Sequence, residues 1–266
     1  MNGAVRKRLR IALLVVFCLS TALLLRQLAD NAGGGESYDA ALSIATAGKK
    51  TAAPAETEAA KGEWVPETVT GDENMDVIAA IDIGALQEVN PDVIGWIWIP
   101  DSKVNYPIVQ GSDNDYYLKH TWDKQENSVG SIFLEHRNTA DFGDYNTILY
   151  GHNMNDGSMF ANIKRYSTEW YWERHPYIYI ATETGHYRYE VFSGYESSTE
   201  GTAYGLSFHQ PETKVNFLKT AIQKSTADTG VRPELTDRVL TLSTCSGVGY
   251  ANRWVVHARL KMVKVE

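Results

Sequence analysis

Cysteine is nearly absent: the 266 residues hold two, Cys18 and Cys245. Cys18 lies inside an apolar run, so a membrane boundary would separate it from Cys245 and the body of the chain has no internal disulfide. A lone thiol in an oxidising compartment is a liability unless it is buried or working. Positive charge is also outnumbered beyond the N-terminus. Net +4 on Met1 to Asp30 leaves −12 on the remainder of a chain totalling −8, and that acidic body excludes nucleic acid as the partner. Internal repeats are missing, and no dense carboxylate or Cys/His cluster suggests a metal or cofactor. Asp141 and Asp144 in "DFGDYN" read as a solvated turn.

Long apolar runs are limited to one, "IALLVVFCLSTALLL" from Ile11 to Leu25, preceded by the basic "VRKRLR". Its length is short for a membrane span of ~20 residues, but Arg26 can snorkel and let Leu28 and Ala29 extend it. The basic flank places the N-terminus in the cytoplasm. The run also fits the apolar part of a cleaved signal peptide, although no clean small-x-small site follows. The expected organisation is a cytoplasmic basic tail over 1–10, a transmembrane signal anchor over 11–29, a flexible extracellular tether over 30–72 and a folded domain over 73–266. A tether of this Ala-, Gly- and Thr-rich composition would span ~35 Å root-mean-square.

Compact sequence begins near Met75. Val77, Ile78, Ile81, Leu86 and Val89 recur at roughly helical spacing, with Pro91 as a stop. Eight short segments rich in β-branched and aromatic residues follow, from "VIGWIWIP" to "RWVVHARLKMVKV", and predict a mainly β barrel or sandwich. Helical inserts are expected at "GSMFANIKRY", "STEWYWERH" and "PETKVNFLKTAIQKS". In the last, Pro211 suits a first-turn position and Val215, Phe217, Leu218 and Ile222 form an amphipathic face.

In "RVLTLSTC", alternation puts Leu240, Leu242 and Thr244 on one face and Thr241, Ser243 and Cys245 on the other. Cys245 ends that strand and Arg253 opens the next. An antiparallel hairpin would make them neighbours. His152 likewise stands where "TILYG" gives way to a polar turn, and strand ends are where side chains reach substrate from fixed backbone. Cys, His and Arg so placed permit nucleophilic acyl transfer: a thiolate attacks, an imidazole serves as acid and base, and a guanidinium meets the developing oxyanion. Taken singly, each has a plain structural reading, and six other histidines compete for the imidazole role.

The two stretches together resemble a family. "TLSTC" is similar to the TLxTC signature of sortases and "YGHNM" to their histidine motif. "NPDVIGWIWIP", "YPIVQGSDNDYYLKHTWD", "GSIFLEHRN", "TILYGHNMNDGSMF" and "RWVVHARL" resemble class B sortases in order and spacing, over roughly Ile83 to Val263. The resemblance implies an eight-stranded sortase-type β-barrel with an N-terminal helix and helical inserts. It implies Cys245 as nucleophile, His152 as acid/base and Arg253 as oxyanion or substrate-orienting residue. Ser243, Asn114, Leu118 and Tyr204 correspond to positions lining the sorting-signal groove.

The implied partners are surface proteins bearing a sorting signal and, as acceptor, a peptidoglycan-precursor or pilin amine, with the membrane reached through the N-terminal anchor. The implied reaction cleaves a C-terminal pentapeptide after Thr and passes the acyl group to that amine, with no cofactor. Where some relatives carry acidic residues just after the cysteine, this chain has "SGVG". Papain-like and NlpC-type peptidases place Cys before His, and L,D-transpeptidases place both in one short motif. A tethered wall-binding module with a structural Cys gives no reason for Cys, His and Arg all to fall at strand ends.

Overall fold

The computed structural model describes residues 3–47, 72–245 and 252–265, with Cys245 described through its backbone. Eight strands follow in chain order: β1 Val93–Trp98, β2 Asn105–Val109, β3 Ile132–Leu134, β4 Asn146–Tyr150, β5 Tyr177–Ala181, β6 Gly185–Ser198, β7 Val239–Cys245 and β8 Asn252–Val265. They close a barrel in the order β1-β2-β3-β4-β7-β8-β6-β5. All eight expected segments became strands. The β2/β3 and β4/β7 pairs are parallel, whereas the other neighbours are antiparallel. Register shifts at Arg188/Tyr189 and Val191/Ser193 bend the long β6 around the wall.

The period-2 alternation sorts side chains into two clusters. Leu149, Leu242 and Val256 occupy one cross-strand row and point into the barrel with Ile97, Ile108, Ile132 and Leu260. Tyr150, Ser243 and Val255 occupy the next row and point outward. That outer face is covered by α5, Pro211–Lys224, whose Phe217, Leu218 and Ala221 pack with Phe192, Val239 and Val255. Pro211 opens α5 as expected, but Val215 is exposed, because the buried stripe runs through Ala221 instead.

Three further expectations are corrected. The helix expected after Met75 is two, α2 Glu73–Ala79 and α3 Ile83–Val89. Asp82 breaks them by capping α3, its Oδ1 accepting from the Ala85 amide at 2.9 Å. Val77 and Val89 are exposed, and Met75, Ile78, Ile83 and Leu86 form the buried side. The "GSMFANIKRY" insert is a 3₁₀ turn over Ala161–Ser167, followed by α4, Glu169–Arg174.

The largest correction concerns the start of the expected tether. Helix α1 runs unbroken from Gly3 to Ala47, so residues 30–47 are helical and docked. Tyr38, Ala41 and Ala45 are buried, and Gly34 continues their stripe. A Cβ on Gly34 would lie 2.9 Å from Val129 Cγ2, so the "GGG" that suggests flexibility permits close helix contact. Tertiary packing supplies what intrinsic propensity lacks. The rest of the expected tether, 48–71, lies outside the described residues.

Candidate active site

The parallel β4/β7 pairing brings the two motif strands together with both C-terminal ends at one edge. Beyond Tyr150 the Gly151 amide donates to the Ser243 carbonyl at 3.1 Å and carries the ladder one step further. His152 follows, half-buried. Its Nε2 lies 2.7 Å from the Leu118 carbonyl oxygen. A carbonyl only accepts, so Nε2 carries a proton and Nδ1 is the nitrogen left for proton exchange.

Leu118 is held by its own loop. Asp113 Oδ1 accepts the Asp115 and Tyr116 amides at 2.8 Å each, and the Ser131 amide donates to Tyr117 O at 2.9 Å. Gly130 closes the loop at φ 61°, where a Cβ would stand 2.8 Å from the Leu118 and Tyr117 carbonyls and 2.9 Å from His152 Cδ2. Only glycine fits both that backbone and that space.

On the other side, β7 and β8 pair so that Cys245 opposes Arg253, as the hairpin argument predicts. Directly opposed residues share a face, so the Cys245 and Arg253 positions both belong to the outer face that carries Ser243. The Cys245 side chain lies outside the described residues. A cavity of about 350 Å³ opens between these elements, lined by Asn114, Leu118, Phe133, Tyr150, Gly151, His152, Thr199, Tyr204, Ser243, Thr244 and Arg253. His152, Arg253, Ser243, Asn114, Leu118 and Tyr204 are therefore gathered in one place from five separate stretches of chain.

Tyr150, Phe133, Thr199 and Thr244 also line the cavity, although sequence reasoning did not single them out. Tyr150 and Tyr204 lie with nearly parallel rings, centroids 6.4 Å apart, and the Tyr204 hydroxyl meets Ser243 Oγ at 2.8 Å. Beneath them stands Glu135, a carboxylate 1% exposed. Its Oε2 accepts from Asn114 Nδ2 at 2.8 Å and from the Tyr150 hydroxyl at 2.9 Å, and its Oε1 pairs with Arg137 Nε at 2.7 Å. Burial alone would raise the Glu135 carboxyl, but the hydrogen bonds from Arg137, Asn114 and Tyr150 outweigh it and hold the group below the usual range. Burial and that nearby negative charge push the Tyr150 phenol up, so it remains a neutral donor. The available signal for Glu135 was an acidic residue directly ending an apolar strand.

Four of the other six histidines have contacts of their own. His120 stacks on Tyr116, His136 pairs with Glu135, His175 meets the Pro100 carbonyl, and His257 is fully buried behind β7. Asp141 and Asp144 cap their own turn through Thr139, Gly143 and Asn138. In "WYWERH", Tyr171 is buried, whereas Trp170 is exposed beneath the Arg174 guanidinium.

A family model described as the sortase domain matches residues 97–261. The chain belongs to the sortase family. Sortase B of Listeria monocytogenes is 38% identical over 188 residues, which cover 70% of this chain and 75% of the relative. Sortase B of Staphylococcus aureus is 34% identical over 161 residues, 60% and 66% of the two chains. Among solved structures, the S. aureus sortase B–substrate complex has a TM-score of 0.64 at 32% identity, covering 67% of this chain and 83% of that one. Sortase B from B. anthracis, solved in complex with AAEK1, has a TM-score of 0.69 at 31% identity, covering 88% and 99%. The chain is thus a class B sortase, an enzyme of the cysteine transpeptidase type.

Proposed function

We propose that this sortase cleaves a C-terminal sorting signal after Thr through a thioacyl-enzyme and transfers the carried protein to a cell-wall amine. The gathering of six motif residues in one cavity, with Cys245 and Arg253 opposed across the hairpin, is the observation that carries this reading. In the acylation half, the Cys245 thiolate attacks the Thr carbonyl carbon and the carbonyl electrons move onto oxygen beside Arg253. Collapse of the tetrahedral species expels the amine of the following residue, which takes the proton from His152 Nδ1. In the second half, His152 Nδ1 removes a proton from the incoming amine as it attacks the thioester, and the thiolate leaves. The Nε2–H bond to Leu118 holds the ring so that one nitrogen serves both steps.

The remaining cavity residues form the acyl-donor groove: Ser243, Asn114, Leu118 and Tyr204 receive the pentapeptide. The long apolar helix gives the protein its place. α1 is long and apolar enough to cross a membrane, with Phe17 and Leu23 exposed at 65% and 70%. Residues 11–29 anchor the enzyme in the membrane with its catalytic domain outside. The test uses quenched sorting peptides with oligoglycine or diaminopimelate-type amines, wild type against Cys245→Ala, followed by mass spectrometry. A Cys245-linked acyl adduct and an amine-linked product are expected. If no peptide yields either, the transpeptidation reading is lost.

A further inference from the structure

The apolar run continues without a break into the docked half of α1, and the contacts with the barrel domain start at once. Asp30, the first residue past Ala29, accepts at its carbonyl from Asn127 Nδ2 at 2.8 Å and at Oδ2 from Ser128 Oγ at 3.2 Å. Further along α1, the Ser37 carbonyl accepts from Trp122 Nε1 at 2.9 Å and Ser37 Oγ donates to Asp123 at 3.1 Å. The Tyr38 hydroxyl donates to the Gly130 carbonyl at 2.6 Å, with its ring edge-on to Tyr106. The Ala45 carbonyl accepts from the Asp82 amide at 2.9 Å. One helix is therefore pinned along about two turns, Asp30 to Tyr38, to the loop that holds Leu118 and Gly130, and again at Ala45 to Asp82.

Helical rise turns these contacts into heights. At ~1.5 Å per residue, Asp30 stands within ~2 Å of the end of the apolar run. The headgroup region of each leaflet is roughly 5–8 Å deep, so the Asn127 and Ser128 that bind Asp30 lie at headgroup level. Tyr38 stands ~14 Å along the axis from Ala29. Its Gly130 partner is packed against the His152 ring. The acid/base imidazole thus lies roughly 15–20 Å beyond the hydrocarbon edge, and helix tilt only lowers it.

We infer that residues 123–129 form a membrane-contacting surface, held in the lipid headgroup layer by α1, so that the enzyme works at a fixed height and orientation on the bilayer. This rests on the proposed anchor. The occupant of the surface is the phospholipid headgroup layer into which residues 11–29 insert. Lys124, Gln125, Glu126 and Ser128 are exposed on it, a charged and polar set suited to water and headgroups rather than to acyl chains. α5, packed on β6, lies on the far side of the barrel from β2 and α1.

The test uses the full chain in Cys18→Ala, Cys245→Ala form, reconstituted in phosphatidylcholine–phosphatidylglycerol vesicles. A fluorophore is placed at Gln125→Cys on the loop or at Gln223→Cys on α5, and quenching by headgroup-nitroxide lipid is measured. Several-fold stronger quenching at position 125 than at 223 is expected. A flexible Gly-Ser segment inserted between Ala29 and Asp30, and separately Gly34→Leu, should reduce the excess while flotation with vesicles is kept. A protein that does not float with vesicles overturns the anchor. A protein that floats with equal quenching at the two positions, or with quenching indifferent to the insertion, overturns the docked surface and leaves the anchor standing.

Discussion

Behind β7, His257 is 0% exposed, and the hydrogen bonds around it fix its protonation. Thr241 Oγ1 donates to Asn146 Oδ1 at 2.6 Å, which commits the hydroxyl proton there. His257 Nδ1, 2.9 Å from the same Oγ1, is therefore the donor of that contact, and Nε2 accepts from the Tyr195 hydroxyl at 3.2 Å. The neutral ring is satisfied, and burial depresses its pKa from 6.5 to about 3. With the folded pKa below the unfolded one, this contribution to stability is complete above pH ~6.5 and is lost as pH falls toward ~3, because only the unfolded chain takes the proton. The loss by pH 4.5 is on the order of 3 kcal/mol, since only the unfolded chain binds the proton over about two pH units.

The perturbation that isolates this term is His257→Phe, which keeps an aromatic ring against Phe192 and Phe217 and removes the titration. At pH 7.5 the variant should be less stable by about 1–3 kcal/mol, from the unpaired Thr241 and Tyr195 oxygens. Urea unfolding of the full chain in detergent, followed by tryptophan fluorescence, should show that gap close or reverse by pH 4.5. With m near 3 kcal/mol/M, the relative midpoint moves by about 1 M. Carboxylate titrations are common to both proteins and cancel in the difference. A wild-type minus variant gap that stays constant from pH 7.5 to 4.5 would refute the reasoning, since it would mean that the buried ring accepts a proton without penalty.

Three further outcomes are expected. Arg253→Ala should lower the rate of acyl-enzyme formation by about 10²–10³ with little change in peptide binding, read by single-turnover kinetics; an unchanged rate removes Arg253 from the oxyanion role. Glu135→Gln weakens the acceptor that aligns Asn114 and Tyr150, and should cost about tenfold in kcat/KM, mainly through KM, with the acyl-transfer rate of bound peptide preserved. Gly130→Ala should destabilise the protein by more than about 1 kcal/mol, because it combines a positive φ with contacts under 3.0 Å, and should also depress kcat through the displaced His152 ring. Thermal unfolding and initial rates on one preparation separate the two effects.

Much of the barrel was legible because each strand carries its own period-2 signature between turn residues. The opposition of Cys245 and Arg253 was legible for the same reason, a hairpin being a local object. The meeting of His152 with that hairpin was not, because it depends on a parallel pairing across about ninety residues that no local pattern encodes; the family resemblance supplied it. Glu135 escaped notice because a single acidic residue at a strand end normally faces water, and only the packed sheet shows Asn114, Tyr150 and Arg137 converging on it. The docked half of α1 was missed because its buried stripe is Gly34, Tyr38, Ala41 and Ala45. Small residues at helical spacing add little apolar signal, and three successive glycines suggest freedom rather than contact.

The parallel β4/β7 pair also dictates when the site comes into being. Its two strands are separated by β5, β6 and α5, so the loop that must close before they meet is long and entropically costly. No N-terminal fragment of the domain contains the proposed catalytic set, and a growing chain holds His152 well before Cys245 appears. The thiol therefore acquires its neighbours only on closure of the barrel, late in folding, and the topology itself withholds the assembled site from an incomplete chain.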